Sequence, residues 1–225
     1  MTRVAHIQRK PVDGHFSIEG LFSTLRAALP QAVVAEEIVV PEISKGIGNR
    51  IRNTRFCRRI DHDVLHVTGD IHYVAMGLPK DRSILTIHDC EILDRLSGLK
   101  RWILKRYWYV LPVRSVACVT TISETSKKEI LKYTGISEDR VSVIPNPVSP
   151  RYQAAPKNFN QKQPRILQIG TKENKNILRL IEALKGLFCH LRIIGKLTGS
   201  QIDSPSRFRH RVFRSFRSHG IGDGE

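Results

Sequence analysis

Two short stretches hold residue types suited to binding anions and moving protons. The first, Gly170-Thr-Lys-Glu-Asn-Lys175, follows an apolar run and precedes a stretch of helical period. A glycine at a strand end lets backbone approach a phosphate closely, and a lysine at a helix start adds a full charge to the partial positive charge of the helix end. The second is His88-Asp89, at the end of an apolar run that begins at Ile84. An imidazole at such a place can donate to a hydroxyl or a phosphate oxygen, in the crevice where open α/β sheets hold ligands. Each stretch also has an ordinary reading: a solvated turn with a helix-starting lysine, and a structural histidine.

The elements that position these residues follow from periodicity. Short apolar runs rich in β-branched residues alternate with longer stretches of helical period, the pattern of a parallel sheet covered by helices. Strands are predicted at Val4–Ile7, Ala32–Val40, Val64–Thr68, Ile84–His88, Val116–Ile122 and Val141–Ile144. Helices are predicted from Ser17 toward Pro30, from Ser44 to Ile60, from Ile71 to Leu78, from Leu99 to Leu111 and from Ser123 to Tyr133. The Ser44–Ile60 helix should turn Ile47, Ile51 and Phe56 inward, and Arg50, Arg52, Arg55, Arg58 and Arg59 outward. Ser123 can cap the last of these helices, with Ser126 and Glu129 as an alternative capping box, and Gly135 stops it. That role accounts for Ser123 and Glu124 without any chemistry.

Residues 148–164, rich in Pro, Asn, Gln and Lys, read as a linker. The pattern then restarts with a strand Ile166–Ile169, the Gly170–Lys175 turn, a helix Asn176–Leu187 and a strand Leu191–Ile194. The expected organisation is a Rossmann-like domain over 1–147, the linker, a partial second Rossmann unit over 165–203, and an irregular basic tail over 204–225. A lone crossover unit cannot bury both faces of its sheet, so the second domain reads as incomplete. Two domains of about 150 residues would need about 300. A frameshift or truncation near Asp203 would produce the Arg- and Phe-rich end.

Composition narrows the classes. With 40% hydrophobic and 26% charged residues the chain can bury a core, which excludes wholesale disorder. Cys57, Cys90, Cys118 and Cys189 lack the short spacings of a zinc or dithiol site and read as reduced thiols. No apolar stretch follows the basic start, and no run reaches the roughly 18 residues that span a bilayer. A cytoplasmic protein, touching a membrane at most at its inner face, is therefore expected. The net charge of +16 predicts attraction to polyanions. A nucleic-acid-binding protein is the alternative of another class, but no zinc motif, RNA-binding aromatic signature or helix-turn-helix supports nucleic acid as a partner.

Three segments together resemble one family. They are Thr86-Ile-His-Asp89; Thr121-Ile-Ser-Glu-Thr-Ser-Lys-Lys-Glu-Ile130 with Val143-Ile-Pro-Asn146; and Ile169-Gly-Thr-Lys-Glu-Asn-Lys-Asn-Ile177 with Leu191-Arg-Ile-Ile-Gly195. In this order they resemble the retaining nucleotide-sugar glycosyltransferases of the double-Rossmann (GT-B) type, group 1 or family 4, over roughly residues 1–200. The resemblance implies transfer of a sugar, with retention, from a nucleotide-diphosphate donor to a saccharide or lipid-linked saccharide in polysaccharide biosynthesis. It implies no cofactor and no metal: Lys175, with Gly170, Thr171 and Lys172, would take the donor diphosphate. Relatives carry an Arg where this chain has Thr171. It implies that His88 faces the reacting sugar, with Asp89 orienting it or binding acceptor. It also implies a donor-contacting loop at Gly14, although Arg9-Lys-Pro-Val-Asp-Gly14 lacks a double glycine. After Leu197 no pair of glutamates matches the donor-binding pair of relatives, so a catalytically inactive remnant is a third reading.

One stretch suggests a surface. Lys100, Arg101, Lys105 and Arg106 interleave with Trp102, Tyr107, Trp108 and Tyr109, a composition suited to an anionic membrane. At about 100° per residue Leu99, Trp102, Ile103 and Val110 share a face while Leu104 and Trp108 do not, and the favoured expectation is that this face packs in the core.

Overall fold

The protein is described here by a computed structural model, covering residues 1–12, 17–150 and 152–198. Gly14, the end of the expected 165–203 unit and the tail 204–225 lie outside the described residues. The chain forms two compact units, Met1–Gln153 and Ala154–Glu225.

The first unit alternates strands and helices along its whole length. The strands are β1 (Thr2–Gln8), β2 (Val33–Val39), β3 (Val64–Val67), β4 (Ser83–Thr86), β5 (Cys118–Thr121) and β6 (Val141–Val143). Between them come α1 (Ser17–Ala27), α2 (Gly46–Cys57), a 3-10 turn at His72–Gly77, α3 (Glu91–Asp94), α4 (Gly98–Leu104), a π turn at Lys105–Val110, α5 (Leu111–Arg114) and α6 (Glu124–Thr134). All six strands run parallel in the order β2-β1-β3-β4-β5-β6. One sheet face holds Ala5, Ile7, Leu65, Val67, Leu85 and Val119, each at most 1% exposed, and forms the core. Burying strands of this kind stabilises by about 25 cal/mol per Å² of apolar surface, which is why the β-branched runs settle into the central strands.

The opposite face is more polar, and part of it forms a hydrogen-bonded chain. His66 Nε2 lies 2.7 Å from Thr86 Oγ1, which lies 2.7 Å from Thr120 Oγ1. Phe22 of α1 covers this face, edge-on to His6 at 5.2 Å and to His66 at 5.3 Å.

Two helices of the first unit bury faces other than those expected, and the expected Ile71–Leu78 helix is the 3-10 turn His72–Gly77. In α2, Ile47 and Ile51 are exposed, as is Phe56, and the inward positions are Asn53 and Cys57. Asn53 is fully buried because every polar atom has a partner: its Oδ1 accepts from Glu42 N, and its Nδ2 donates to Glu42 O and Tyr73 Oη, each at 2.9 Å. Gly77 brings the 3-10 turn against Thr54 of α2, where a Cβ would lie 2.4 Å from the Thr54 methyl. Close backbone approach and a satisfied amide, rather than an apolar stripe, therefore seat this helix.

The second difference lies between Gly98 and Arg114. The π turn at Lys105–Val110 has more residues per turn than an α-helix, so it shifts the face that follows it. Val110 rotates into the core, while Leu99, Trp102 and Ile103 stay 70%, 57% and 45% exposed. Leu104 and Trp108 are the residues that pack against the core. Of the expected core face, Leu99, Trp102 and Ile103 thus face solvent and Val110 alone is buried. Elsewhere the local signals hold: Ser123 caps α6 by accepting from Ser126 N at 3.1 Å, and Gly135 ends it at φ 64°.

The second unit has β7 (Arg165–Ile169), a 3-10 turn at Glu173–Lys175, α7 (Ile177–Ala183) and β8 (His190–Ile194). β7 and β8 pair in parallel, and Ile177, Ile181, Leu184 and Leu191 form their core. The expected helix Asn176–Leu187 is shorter than its apolar pattern, because residues 184–187 leave the α-helix in a turn containing Gly186 at φ 81°. The four cysteines are unpaired, and burial pushes the thiols of Cys57 and Cys90 up to about 12.

Buried histidines make the first unit acid-sensitive. Burial, aided at His6 by the nearby Arg26 charge, lowers His6 from 6.5 to about 4, and burial lowers His72 equally despite a bond to the Trp108 carbonyl. From pH 6.5 down to about 4 the unfolded chain binds protons that these folded rings refuse, so stability is highest above pH 6.5 and falls with pH across that window. Urea unfolding at pH 7.5 and 4.5 should show this loss, and His6→Leu should reduce it by about 2 kcal/mol. An unchanged slope in the variant would refute the assignment.

Candidate functional site

The strand order places β1 between β2 and β3, so successive crossovers leave β1 on opposite sides. At such a reversal the loops after the strands part and leave a crevice. Arg9 and Lys10 follow β1 there, Gly69 and Asp70 follow β3, and His88 and Asp89 follow β4. With Arg50 of α2 and Trp108 of the π turn, most of them line a cavity of about 450 Å³.

His88 is pinned from two sides. Its Nε2 lies 3.0 Å from the Thr68 carbonyl, which can only accept, so Nε2 carries the ring proton. Its own carbonyl accepts from Ser126 Oγ at 2.9 Å, tying the end of β4 to the start of α6. The ring lies against Gly69, where a Cβ would come within 2.9 Å of Cδ2 and 3.0 Å of Nε2. Gly69 has φ 137°, a conformation that side-chain-bearing residues rarely adopt. The neutral ring therefore presents Nδ1, an acceptor, to its surroundings. It can take a proton from a sugar hydroxyl, and donates at Nδ1 only when protonated.

Asp89 does not orient this ring. Its Oδ1 accepts from the Glu91 backbone N–H at 3.1 Å, starting α3, and the carboxylate is exposed on the cavity wall.

The charged wall beside His88 was not singled out in the sequence. Arg9 Nε donates to Glu19 Oε1 at 2.8 Å, and Arg9 Nη1 pairs with Asp70. Asp70 is a non-glycine residue at φ 55°, strain of the kind that concentrates at functional sites. His72 closes the floor, donating Nδ1 to the Trp108 carbonyl at 2.9 Å inside the π turn. These partners lie 61 and 36 positions apart in the chain, so no local spacing announces them.

In the second unit the Gly170–Lys175 turn is a built structure. Gly170 has φ 85°, and a Cβ there would lie 3.3 Å from both Cγ and Cε of Lys175, so glycine makes room for the lysine stem. The Gly170 N–H is already used, donating to the Ile194 carbonyl at 2.8 Å. Thr171 Oγ1 donates to the Lys196 carbonyl at 2.7 Å, and a Cβ on Gly195 would lie 2.7 Å from the Thr171 methyl. Lys175 ends the 3-10 turn, and Asn176 at φ 52° separates it from the seven-residue α7, so a helix end contributes less than the pattern implied. What remains for an anion are the exposed ammonium groups of Lys172 and Lys175, neither with a carboxylate partner among the described residues. No cluster of three or more metal-ligating side chains occurs among the described residues.

Comparison with known proteins gives the fold a context. The structure of Anabaena HepE, solved in complex with UDP and glucose, superimposes with a TM-score of 0.60 at 12% identity. The match covers 91% of this chain and 64% of HepE, so the chain spans less than two thirds of that protein. The kitacinnamycin glycotransferase matches at a TM-score of 0.45 and 12% identity, over 88% of this chain and 69% of its own. No curated protein sequence matches. Residues 21–152, which hold β2 to β6, His88 and the α6 cap, match the family described as Glycosyltransferase Family 4. The chain belongs to Glycosyltransferase Family 4.

Proposed function

We propose that this chain serves the transfer of a sugar from a nucleotide-diphosphate donor to a saccharide acceptor, with the acceptor held by the first unit at His88. The observation that carries the reading is the pinned imidazole: its Nε2–H is committed to Thr68, which leaves Nδ1 as the open acceptor of a residue that lines the cavity at the sheet's reversal point. A hydroxyl donating to Nδ1 gains nucleophilic character as its proton moves to the ring, a contribution typical of general-base catalysis. Asp89 on the same wall is a second acceptor for hydroxyl groups.

On the donor side, Lys172 and Lys175 supply positive charge for a departing nucleotide diphosphate, so the reading needs neither metal nor cofactor. Retention and a place in polysaccharide or lipid-linked saccharide assembly are supported by the sequence resemblance. UDP-glucose is the first donor to try, because the Anabaena neighbour was solved with UDP and glucose.

The exposed face of α4 supports a membrane-surface setting in the same reading. Leu99, Trp102 and Ile103 stand in solvent beside exposed Lys100 and Arg106, an apolar and basic combination suited to an anionic bilayer. No helix among the described residues is long and apolar enough to cross a membrane. Flotation with vesicles containing phosphatidylglycerol should carry the protein, and Trp102→Ser with Leu99→Ser should abolish this. Equal flotation with neutral phosphatidylcholine vesicles, or no effect of the double substitution, would contradict it.

Nucleotide release from a panel of nucleotide-sugars, with saccharide present, tests the transfer reaction itself. Release is expected, reduced about 100-fold by His88→Ala and at least about 10-fold by Lys175→Ala. Release untouched by both substitutions, or none with any donor, would reject the proposal. Gly69→Ala should displace the ring, lowering release while costing about 1–3 kcal/mol of unfolding free energy. Wild-type stability in that variant would show the ring is not held as described.

A further inference from the structure

Two cations at the first-unit cavity have no carboxylate partner among the described residues. Arg9 is paired with Glu19 and Asp70, while Asp89 keeps its charge and accepts from a backbone N–H. The two are Lys10 and Arg50. Lys10 Nζ donates to the Pro41 carbonyl at 3.0 Å, and Arg50 Nε reaches the Ser44 carbonyl at 3.4 Å. Neither meets a carboxylate among the described residues, and the two terminal nitrogens of Arg50 have no hydrogen-bond partner there.

Arg50 is nonetheless held in place. Its guanidinium carbon lies 5.1 Å from the Trp108 ring centroid and 5.9 Å from that of Tyr73, cation–π distances that fix its position without consuming its donors. The rings beneath it are fixed in turn. Tyr73 Oη lies 2.8 Å from Ser44 Oγ and accepts from Asn53 Nδ2 at 2.9 Å, and its ring sits 5.3 Å from that of Trp108. An ordinary surface arginine is solvated and mobile; this one is a preorganised fork at a cavity that a second cation, Lys10, also lines.

We propose that this cavity takes an anionic saccharide, its phosphate or carboxylate group seated on Arg50 and Lys10 while a sugar hydroxyl lies at His88. This deepens the assignment of a saccharide acceptor to His88 and rests on it; the anion site itself stands on the geometry of Arg50, Trp108 and Lys10. Phosphate and carboxylate share the recognition chemistry, since both match the guanidinium fork.

The experiment uses the full chain carrying Trp102→Phe, which leaves Trp108 as its only tryptophan and so a reporter beneath Arg50. Fluorescence titrations compare glucose 1-phosphate and galactose 1-phosphate, glucuronate, the neutral sugars, inorganic phosphate and UDP. The charged sugars should bind about tenfold or more tightly than neutral ones, weakening with salt. Arg50→Ala should erase that preference, Arg50→Lys should restore part of it, and Lys10→Ala should reduce it. UDP affinity should be unchanged by Arg50→Ala.

A stronger response to sugar phosphates than to glucuronate identifies phosphate as the group, and the reverse identifies carboxylate; either supports the proposal. Equal binding of charged and neutral sugars overturns it. Binding of inorganic phosphate as tight as that of the sugar phosphates, or loss of UDP binding in Arg50→Ala, overturns it too, the latter by making this the donor's site. Failure of the transfer reading alone would show differently, as sugar-phosphate binding intact at Trp108 with no nucleotide release from any donor.

Discussion

The first unit's site depends on a close approach between a backbone and a ring. At position 69 there is no Cβ, and His88 occupies the space one would fill, with its Nε2 proton on the neighbouring Thr68 carbonyl. β3 and β4 are adjacent parallel strands that end side by side, so the turn after one can hold the side chain after the other. The rest of the cavity is arranged around that pair. Asp70, in its left-handed conformation, turns to Arg9, and Arg9 ties the end of β1 to α1 through Glu19. A parallel sheet with its reversal at β1 delivers all three segments to one edge.

Periodicity disclosed the sheet because strands buried in a core must be apolar runs, and those runs survive without knowledge of their partners. The same runs put His88 and the Gly170–Lys175 turn just after strand ends, where the structure also has them. The faces of two helices were not legible. Asn53 is an inward residue whose polarity is cancelled by Glu42 and Tyr73, contacts 11 and 20 positions distant that a hydrophobic pattern cannot register. Trp102 and Ile103 were misplaced because a π turn interrupts the α period between them and Val110. The Arg9, Asp70 and Arg50 wall escaped for the same reason as Asn53: its logic is long-range pairing, visible only once strands are in register.

Charge also acquires a location. The sequence offers +16 as one total, while the structure separates cations that are paired from those that are not. Arg9, Arg26 and Lys127 have carboxylate partners; Arg50, Lys10, Lys172 and Lys175 have none among the described residues. Arg50 and Lys10 lie at the first-unit cavity and Lys172 and Lys175 at the second-unit turn, so both candidate sites hold such cations. Exposed ion pairs elsewhere contribute little to stability, so their arrangement says less.

The state of one proton tests the central claim most directly. Nitrogen-15 spectra of the protein labelled at histidine report which ring nitrogen of His88 is protonated, and whether the other responds to an added saccharide. The structure predicts the Nε2–H form in the free protein, with Nδ1 shifting when a saccharide hydroxyl is bound. A free ring protonated at Nδ1 in its neutral form would contradict the Thr68 anchor, and with it the account of the site.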